Sequence, residues 1–272
     1  MKLILATATV SLGFLAGINP AQGFSLSLYD GTNAAQPLPV NQGQLIGGAI
    51  LSTGLPTFLD ETALSGTGVV VVSDGNGSEY AGYANFIPIP PAGIFVNPAF
   101  PALDPTVGYS LSFRVGFEVL TSSDPDRAGF SVTLVSSNGQ GIELGFDPSS
   151  IFAQSDTFSA AERALFSTLS TTDYVVTVLG SNYQLSANGT PILAGSLRNY
   201  VFNPATSIPP LAFNPYTTNN FLFLGDNTGQ GSSTFTFESA EIAFVPVPPQ
   251  FVGMVLLGVI QLWRRLSAAA PK

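Results

Sequence analysis

Apolar and polar residues alternate over short stretches along most of the chain. In residues 111–119 every odd position is apolar, and the even positions are polar or glycine. This period of two is typical of an antiparallel strand with one buried and one exposed face. We predict further strands on the same kind of pattern at 130–134, 142–146, 174–178, 183–187, 192–193, 219–224 and 233–244.

Short turns separate several of these strands. Asn138-Gly139, Gly180-Ser181-Asn182 and Asn188-Gly189 each lie between two alternating runs. Glycine and asparagine tolerate the positive φ angles that tight turns require, so we expect hairpins at these positions. The uninterrupted β-branched run at 69–73 instead predicts a strand that is covered on both faces.

One short helix is expected among the strands. Ser159 and Glu162 have the spacing of a capping box, and residues 163–166 continue the segment. The proline-rich stretches 88–105 and 204–215 predict loops, because proline removes a hydrogen-bond donor from a sheet interior. Many strands, one helix and no regular alternation of the two predict an all-β domain, a two-sheet sandwich over residues 24–244.

The composition excludes most familiar catalytic groups. The chain has 272 residues and contains no Cys and no His, so thiolate nucleophiles, Ser-His-Asp triads and the usual zinc sites are absent. Its formal net charge is −9, and all 17 acidic residues lie in the body, which contains four arginines. A body this acidic repels phosphate, so no nucleic acid partner is expected.

Residues 1–23 have the features of an export signal peptide. Lys2 provides a positive charge, an uncharged and mostly apolar stretch follows, and Ala21 and Gly23 are small residues at the −3 and −1 positions. The sequence therefore predicts export by the Sec machinery and cleavage by signal peptidase after Gly23. Phe24 would then be the first residue of the mature protein.

Residues 245–272 combine a proline-rich spacer, a short apolar run and a basic tail. The apolar run 251–263 would form a helix of about 20 Å, shorter than the ~30 Å hydrocarbon core of a bilayer. Arg264 and Arg265 follow it directly and favour the cytoplasmic side of the membrane. We expect a short apolar helix that tethers the protein to the inner membrane during transit.

These C-terminal residues resemble a known sorting signal. The Pro246-Val247-Pro248 sequence, the apolar run and Arg264-Arg265 are similar to the bacterial PEP-CTERM segment, which an exosortase recognises. The resemblance implies an exosortase as a partner and display at the cell surface or in the extracellular matrix. That family has Glu where this chain has Val247, which leaves open whether the segment is cleaved.

A second resemblance covers the body. The segments that carry it are 29–31, 81–83, 127–131, 141–146, 185–200 and 220–227. In this order they are similar to the choice-of-anchor domain, an exported bacterial group named for its alternative C-terminal anchors. The resemblance implies a concanavalin-like jelly-roll β-sandwich, and it brings no established activity.

Two carboxylates are the candidates for catalysis. Without His, glycoside hydrolysis is the most accessible reaction, because two carboxylates suffice for it. Glu118 and Glu143 both occupy polar positions of alternating strands, and they would meet only on a shared sheet face. An ion pair of Glu118 with Arg114, or across strands, is the simpler explanation. The sequence therefore predicts that the protein is not an enzyme, and a glycosidase using this pair is the third alternative.

Calcium is the one candidate cofactor. Asp226 and Asn227 offer the oxygen ligands that Ca²⁺ prefers, as do residues 124–126 and 74–79. Turn formation explains the same residue types in each segment. The expectation is therefore limited to a structural calcium at Asp226 and Asn227.

These patterns lead to one preferred function and an alternative from another class. The preferred function is an exported, membrane-tethered or surface-displayed, non-catalytic protein with a structural or adhesive role in the envelope or extracellular matrix. The alternative is a calcium-dependent carbohydrate-binding module with surface polysaccharide as its partner.

Overall fold

The chain folds mainly into short antiparallel strands in this computed structural model, which describes residues 24–31, 44–47, 57–58, 64–65, 68–73, 81–87, 94–97, 100–207, 211 and 213–244. Two single-turn 3-10 helices, η1 (Pro204–Thr206) and η2 (Pro215–Thr217), are the only helices in these ranges. The strands are β1 (Ser25–Asp30), β2 (Gln44–Gly47), β3 (Thr57–Phe58), β4 (Leu64–Ser65), β5 (Gly68–Ser73), β6 (Ala81–Ala84), β7 (Phe86–Ile87), β8 (Ile94–Phe95), β9 (Tyr109–Ser122), β10 (Phe130–Val135), β11 (Gly141–Asp147), β12 (Ser150–Gln154), β13 (Ala160–Leu165), β14 (Thr172–Leu179), β15 (Asn182–Ala187), β16 (Thr190–Ser196), β17 (Leu222–Asp226) and β18 (Gly231–Phe244).

The strands form two large sheets. Sheet A has the spatial order β16, β15, β14, β9, β18, β5 and β4, and β1 pairs with the second half of β18. Sheet B has the order β13, β12, β11, β10, β17, β6, β2 and β3, and β7 pairs with β8 separately. The two sheets make an antiparallel sandwich of the jelly-roll type, which confirms the fold class predicted from the sequence.

Aromatic rings hold the two sheets together. Phe117 and Phe235 of sheet A each pack edge-on against Phe130 of sheet B, with ring centroids 4.9 Å apart in both pairs. Tyr174 meets Phe146 in the same way at 5.2 Å. Edge-to-face contacts add to the burial energy of each ring. They also fix which residues of every strand face the core.

The predicted hairpins are present. β10 pairs with β11, β14 with β15, and β15 with β16, each in antiparallel register. Asn188 and Gly189 have φ angles of 49° and 77°. Two successive residues at positive φ are typical of the type I′ turn that matches the twist of paired strands.

The helix predicted from Ser159 onward is wrong, because this segment is strand β13. Phe152 pairs with Arg163 in the sheet register, and the Arg163 guanidinium lies 4.6 Å from the centre of the Phe152 ring. The Ser159 hydroxyl bonds to the Ser155 hydroxyl at 2.9 Å. Pairing with β12 therefore overrides the local preference for helix.

The strand predicted to be covered on both faces is covered on one. Within β5, Val71 is 1% exposed and Val72 is 47% exposed. β9, β14 and β15 of sheet A show a similar alternation of buried and accessible positions. The outer face of sheet A is therefore open to solvent, and an apolar run alone did not reveal this.

The two ends of the described body lie side by side. The Phe244 N–H donates to the Phe24 carbonyl oxygen at 2.9 Å, and the two rings are 5.8 Å apart. The predicted signal peptide (1–23) and C-terminal segment (245–272), with Ala21, Gly23, Pro246, Val247, Pro248, Arg264 and Arg265, lie outside the described residues. The ranges described hold no helix long and apolar enough to cross a membrane.

Two glycines are required for different reasons, and substitution can distinguish them. A Cβ on Gly82 would clash with the Leu224 carbonyl oxygen and would lie 2.7 Å from the Gly225 Cα. We expect Gly82→Ala to lower the free energy of unfolding by about 1–3 kcal/mol, since the backbones of β6 and β17 must separate. Gly189 needs only its positive φ, so Gly189→Asn should cost less than ~1 kcal/mol. Urea unfolding measures both, and equal losses would contradict the close approach of β6 and β17.

Candidate functional site

The central strands of sheet B differ from those of sheet A in being buried on both faces. Every residue of β10, β12 and β17 is buried, as are residues 141–146 of β11. Val132 and Leu144 belong to the core between the sheets, so Thr133 and Glu143, which are paired in the register, face away from it. The loops 123–129 and 155–159 and the segments 198–207 and 213–220 contribute side chains to this outward face. We call them the covering loops.

Glu143 lies at the centre of this covered face. Its side chain accepts a hydrogen bond from the Tyr216 hydroxyl, and the residue is 2% exposed. Its backbone N–H donates to the Tyr200 hydroxyl oxygen at 2.7 Å. The Tyr200 hydroxyl in turn donates to the Gln154 carbonyl oxygen at 3.3 Å. Two tyrosines of the segments 198–207 and 213–220 are therefore attached to the middle of sheet B.

Burial raises the pKa of the Glu143 carboxyl above its ordinary value. Hydrogen bonds from Tyr216, Asn227 and Thr133 and the charge of Arg127 oppose this shift without cancelling it. Burial also raises the pKa of the Tyr216 hydroxyl, and the nearby Glu143 carboxylate adds to the effect. Removal from water disfavours the charged form of both groups. The site therefore favours the protonated form of both groups.

Four aromatic rings cover Glu143. The Tyr216 ring centre lies 4.8 Å from that of Tyr200, 4.9 Å from that of Phe158 and 5.1 Å from that of Phe202. Phe158 and Phe202 remain partly exposed, whereas both tyrosines are buried. The guanidinium of Arg127 lies 5.0 Å from the centre of the Phe158 ring, within the range of a cation–π contact.

Phe158 has an unusual backbone conformation. Its φ is 66°, in the turn closed by the hydrogen bond from the Ser155 N–H to the Ser159 carbonyl oxygen. A bulky side chain rarely adopts this region, which glycine and asparagine prefer. Such strain persists only where the surroundings compensate it. Here the compensation comes from the ring contacts with Tyr200, Phe202 and Tyr216.

Gln154 joins two of the covering loops. Its side-chain amide donates to the Asp126 carbonyl oxygen at 2.6 Å, and the residue is 1% exposed. The Ala160 N–H donates to the Asp126 carboxylate at 2.8 Å. The side-chain oxygen of Gln154 has no hydrogen-bond partner among the described residues. A buried acceptor without a donor is uncommon in native structures and requires an explanation.

The structure does not bring Glu118 and Glu143 together. Glu118 is exposed on β9 of sheet A, whereas Glu143 is buried on β11 of sheet B. Arg114 forms its ion pairs with Asp173 at 2.9 Å and Glu238 at 2.7 Å, on the neighbouring strands β14 and β18. The geometry of a two-carboxylate glycosidase is therefore not formed by these residues.

Asp226 and Asn227 also have separate partners. The Asp226 carboxylate accepts hydrogen bonds from the Ser73 hydroxyl and, at 3.0 Å, from the Thr228 N–H. The Asn227 side chain bonds to Glu143 on the outward face of sheet B. Among the described residues, no group of three or more acidic side chains has the arrangement of a metal site.

Sequence reasoning found Glu143 and missed its surroundings. Arg127, Gln154, Phe158, Tyr200 and Tyr216 were not predicted as site residues. The turn at Phe158 gave no signal in the sequence, because the residues that follow it were predicted to form a helix and not the second strand of a hairpin. The contacts of the two tyrosines depend on the path of a long loop, which alternation does not report.

Comparison with known proteins gives similarity in fold. No protein-family model and no curated protein matches the chain. An alginate lyase from Corynebacterium sp. aligns at 11% identity over 76% of this chain and 96% of its own, with a TM-score of 0.46. A carbohydrate esterase of Shiga toxin-encoding bacteriophage phi24B aligns at 11% identity, over 81% and 99%, with a TM-score of 0.47. The carbohydrate recognition domain of Emp46p aligns at 9% identity, over 79% and 95%, with a TM-score of 0.43.

These findings correct one expectation from the sequence. The sequence predicted that the protein is not an enzyme. That exclusion was wrong, because the similar solved structures include alginate lyases and a carbohydrate esterase. The composition removes His and Cys chemistry, but it does not remove catalysis from a fold of this type.

The raised pKa of Glu143 predicts a pH-dependent stability. Because the pKa is higher in the folded state, its stabilising contribution is complete below the unfolded value of about 4.3 and is lost as pH rises through the folded value. Glu143→Gln mimics the protonated carboxyl, so this variant should gain stability relative to the unsubstituted protein as the pH rises from 5 to 8. Urea unfolding at both pH values measures the difference.

The control for this experiment is Glu118→Gln, which removes an exposed carboxylate from sheet A. Its stability should follow that of the unsubstituted protein at both pH values. If the free energy of unfolding of Glu143→Gln changed with pH as that of the unsubstituted protein does, the raised pKa of Glu143 would be refuted.

Phe158 allows strain and packing to be separated. Phe158→Ala loses the ring contacts and keeps the positive φ, so we expect a loss of about 2–4 kcal/mol in the free energy of unfolding. Phe158→Gly loses the same contacts and relieves the backbone, so it should be more stable than the alanine variant by about 1 kcal/mol. Thermal unfolding of the two variants tests the order. An alanine variant as stable as the glycine variant would show that the turn is not strained.

Proposed function

We propose that this chain is an exported bacterial β-sandwich protein that binds polysaccharide at the cell surface, with the outward face of sheet B as its binding face. The observation that carries the proposal is the cluster of aromatic and polar groups on this face, outside the core between the sheets. Sugar sites combine aromatic rings with a few placed polar groups. Phe158 and Phe202 supply partly exposed rings, and Arg127 and Gln154 supply polar groups.

The strain at Phe158 supports the same face. A glycine in this turn would remove the strain without changing the course of the chain. The chain instead places a ring there, between Arg127 and the Tyr216 ring. Strained residues are concentrated at ligand sites, where the surrounding structure holds them in place.

Export and tethering rest on the two terminal segments. The signal peptide would leave Phe24 as the first mature residue, and the C-terminal segment would follow Phe244. Because Phe24 and Phe244 are neighbours, both segments would extend from the same end of the sandwich. We propose that the protein passes through the inner membrane on its C-terminal segment and is then displayed at the surface.

Fractionation with intact-mass measurement tests the localisation. Expression in a bacterium with its own exosortase should give a mature chain that begins at Phe24. Loss of the residues after about Val247 would show cleavage and release to the surface. A protein with its first 23 residues still attached, found in the cytoplasm, would refute export.

Binding to a panel of neutral and acidic polysaccharides tests the function. We expect retention of the full chain on at least one polymer, and a loss of affinity of roughly 2- to 13-fold in Phe158→Ala, since stacking on an aromatic ring contributes about 0.5–1.5 kcal/mol. Val119→Ala changes an exposed apolar residue of sheet A and should bind normally. No binding to any polymer, or equal loss in both variants, would refute the proposed face.

Two additions to this assay address the other expectations. Binding should be equal with and without EDTA, since Asp226 and Asn227 have separate protein partners. Shortening of the bound polymer would show that the face also carries out catalysis.

A further inference from the structure

We infer that Arg127, Gln154 and Phe158 form a subsite for a sugar carboxylate, so that the polysaccharide bound is an acidic one containing uronic-acid units. This inference rests on the proposed polysaccharide-binding function and specifies its ligand. Three separate observations carry it: an arginine without a carboxylate partner, a buried acceptor without a donor and a strained ring that fixes the position of the arginine.

Arg127 differs from the other arginines of the body. Arg114, Arg163 and Arg198 each form an ion pair with an acidic side chain. Arg127 forms none with any described residue and is half-buried over the Phe158 ring. In a body with 17 acidic residues and four arginines, an arginine without a carboxylate partner is unexpected. A guanidinium binds a carboxylate through two parallel hydrogen bonds, which a neutral sugar cannot reproduce.

The nearby carboxyl groups leave this arginine available. Asp124 accepts hydrogen bonds from the Asp126 N–H at 2.9 Å and the Gln230 side chain at 3.2 Å. Asp126 accepts from the Ala160 N–H at 2.8 Å. The buried Glu143 carboxyl accepts a hydrogen bond from the Tyr216 hydroxyl, and Arg127 acts on it through its charge without an ion-pair contact. The acids of this region are therefore hydrogen-bonded to neutral donors, and none of them is ion-paired with Arg127.

Gln154 supplies the second polar group of the subsite, a hydrogen-bond acceptor. Its side-chain nitrogen is already used by the Asp126 carbonyl oxygen, so rotating the amide would not satisfy the unpaired oxygen. Because this oxygen is buried, the donor that it lacks would be a water molecule that bridges it to a hydroxyl of the ligand. A uronic-acid unit carries both the carboxylate for Arg127 and adjacent hydroxyls.

Affinity electrophoresis of the full chain, purified in detergent, tests this assignment. The probes are polygalacturonate and polymannuronate, each alongside the same polymer after chemical reduction of its carboxyls to alcohols. We expect retardation by at least one acidic polymer, at least tenfold weaker binding to its reduced form, and weakening by added NaCl. Arg127→Gln should lose at least tenfold in affinity for the acidic polymer and keep its affinity for the reduced one.

Arg163→Gln is the matched control. Arg163 also lies over an aromatic ring, at 4.6 Å from the centre of Phe152, but it is ion-paired with Asp147. We expect it to bind the acidic polymer as the unsubstituted protein does. Arg127→Lys keeps the charge without the paired donors, and intermediate binding would support the two-bond geometry.

The outcomes separate this inference from the function on which it rests. Equal binding to the acidic and reduced polymers, unaffected by Arg127→Gln, would overturn the carboxylate subsite and leave polysaccharide binding intact. Equal losses in Arg127→Gln and Arg163→Gln would also overturn it, because they would reflect only the removal of positive charge. Failure to bind any polysaccharide, including the wider panel, would overturn both.

Discussion

The pairing of β9 with β18 is the contact on which the rest of the sandwich depends. Each strand has 14 residues, and their register extends from Ser122 opposite Gly231 to Tyr109 opposite Phe244. β18 also pairs with β5 and β1 along its other edge, so it joins early and late parts of the body. Contacts between such distant segments carry a large loop-closure cost. β18 is therefore the strand that joins the two halves of sheet A.

Polar residues on the outer face of sheet A are in contact with water, whereas those on the outer face of sheet B are buried. On the open face of sheet A, Arg114 pairs with charged neighbours in contact with water, and such surface pairs contribute little to stability. On sheet B the covering loops exclude water, so Glu143 must be neutral or fully hydrogen-bonded. The covering loops create the unusual chemistry of the site. Without these loops, Glu143 would be an ordinary carboxylate on the surface of the sheet.

Sequence patterns predicted the strands well because alternation reflects one face that is always buried. The hairpins at Asn138-Gly139 and Asn188-Gly189 follow from turn chemistry, which is local. The alternating pattern does not show whether loops cover the second face of a strand. The strands of sheet A and sheet B therefore have similar sequence patterns although only one of the sheets is covered. The segment after Ser159 shows the converse error, because its local helix signal is weaker than its pairing with β12.

The site residues were harder to predict than the fold, for a related reason. Arg127 and Tyr200 lie within segments that carry the family resemblance, but a resemblance without an assigned activity gives them no role. Their roles depend on which loops meet over Glu143, and those loops are separated in sequence by 25 residues or more. The hydrogen bonds among Gln154, Asp126 and Tyr200 and the ring contacts of Phe158 bring them to one place.

The direction of β9 relates the site to the proposed tether. β9 begins beside Phe244 and ends at Ser122, about 40 Å away at the usual rise of a strand. The loop 123–129, which carries Arg127, leaves β9 at this far end. A C-terminal segment held in a membrane would therefore lie at one end of the sandwich, and the loop carrying Arg127 would begin at the other. An anionic membrane surface and an acidic polymer would both be repelled by a body this acidic, so binding of a polyuronate would rest on local contacts with Arg127.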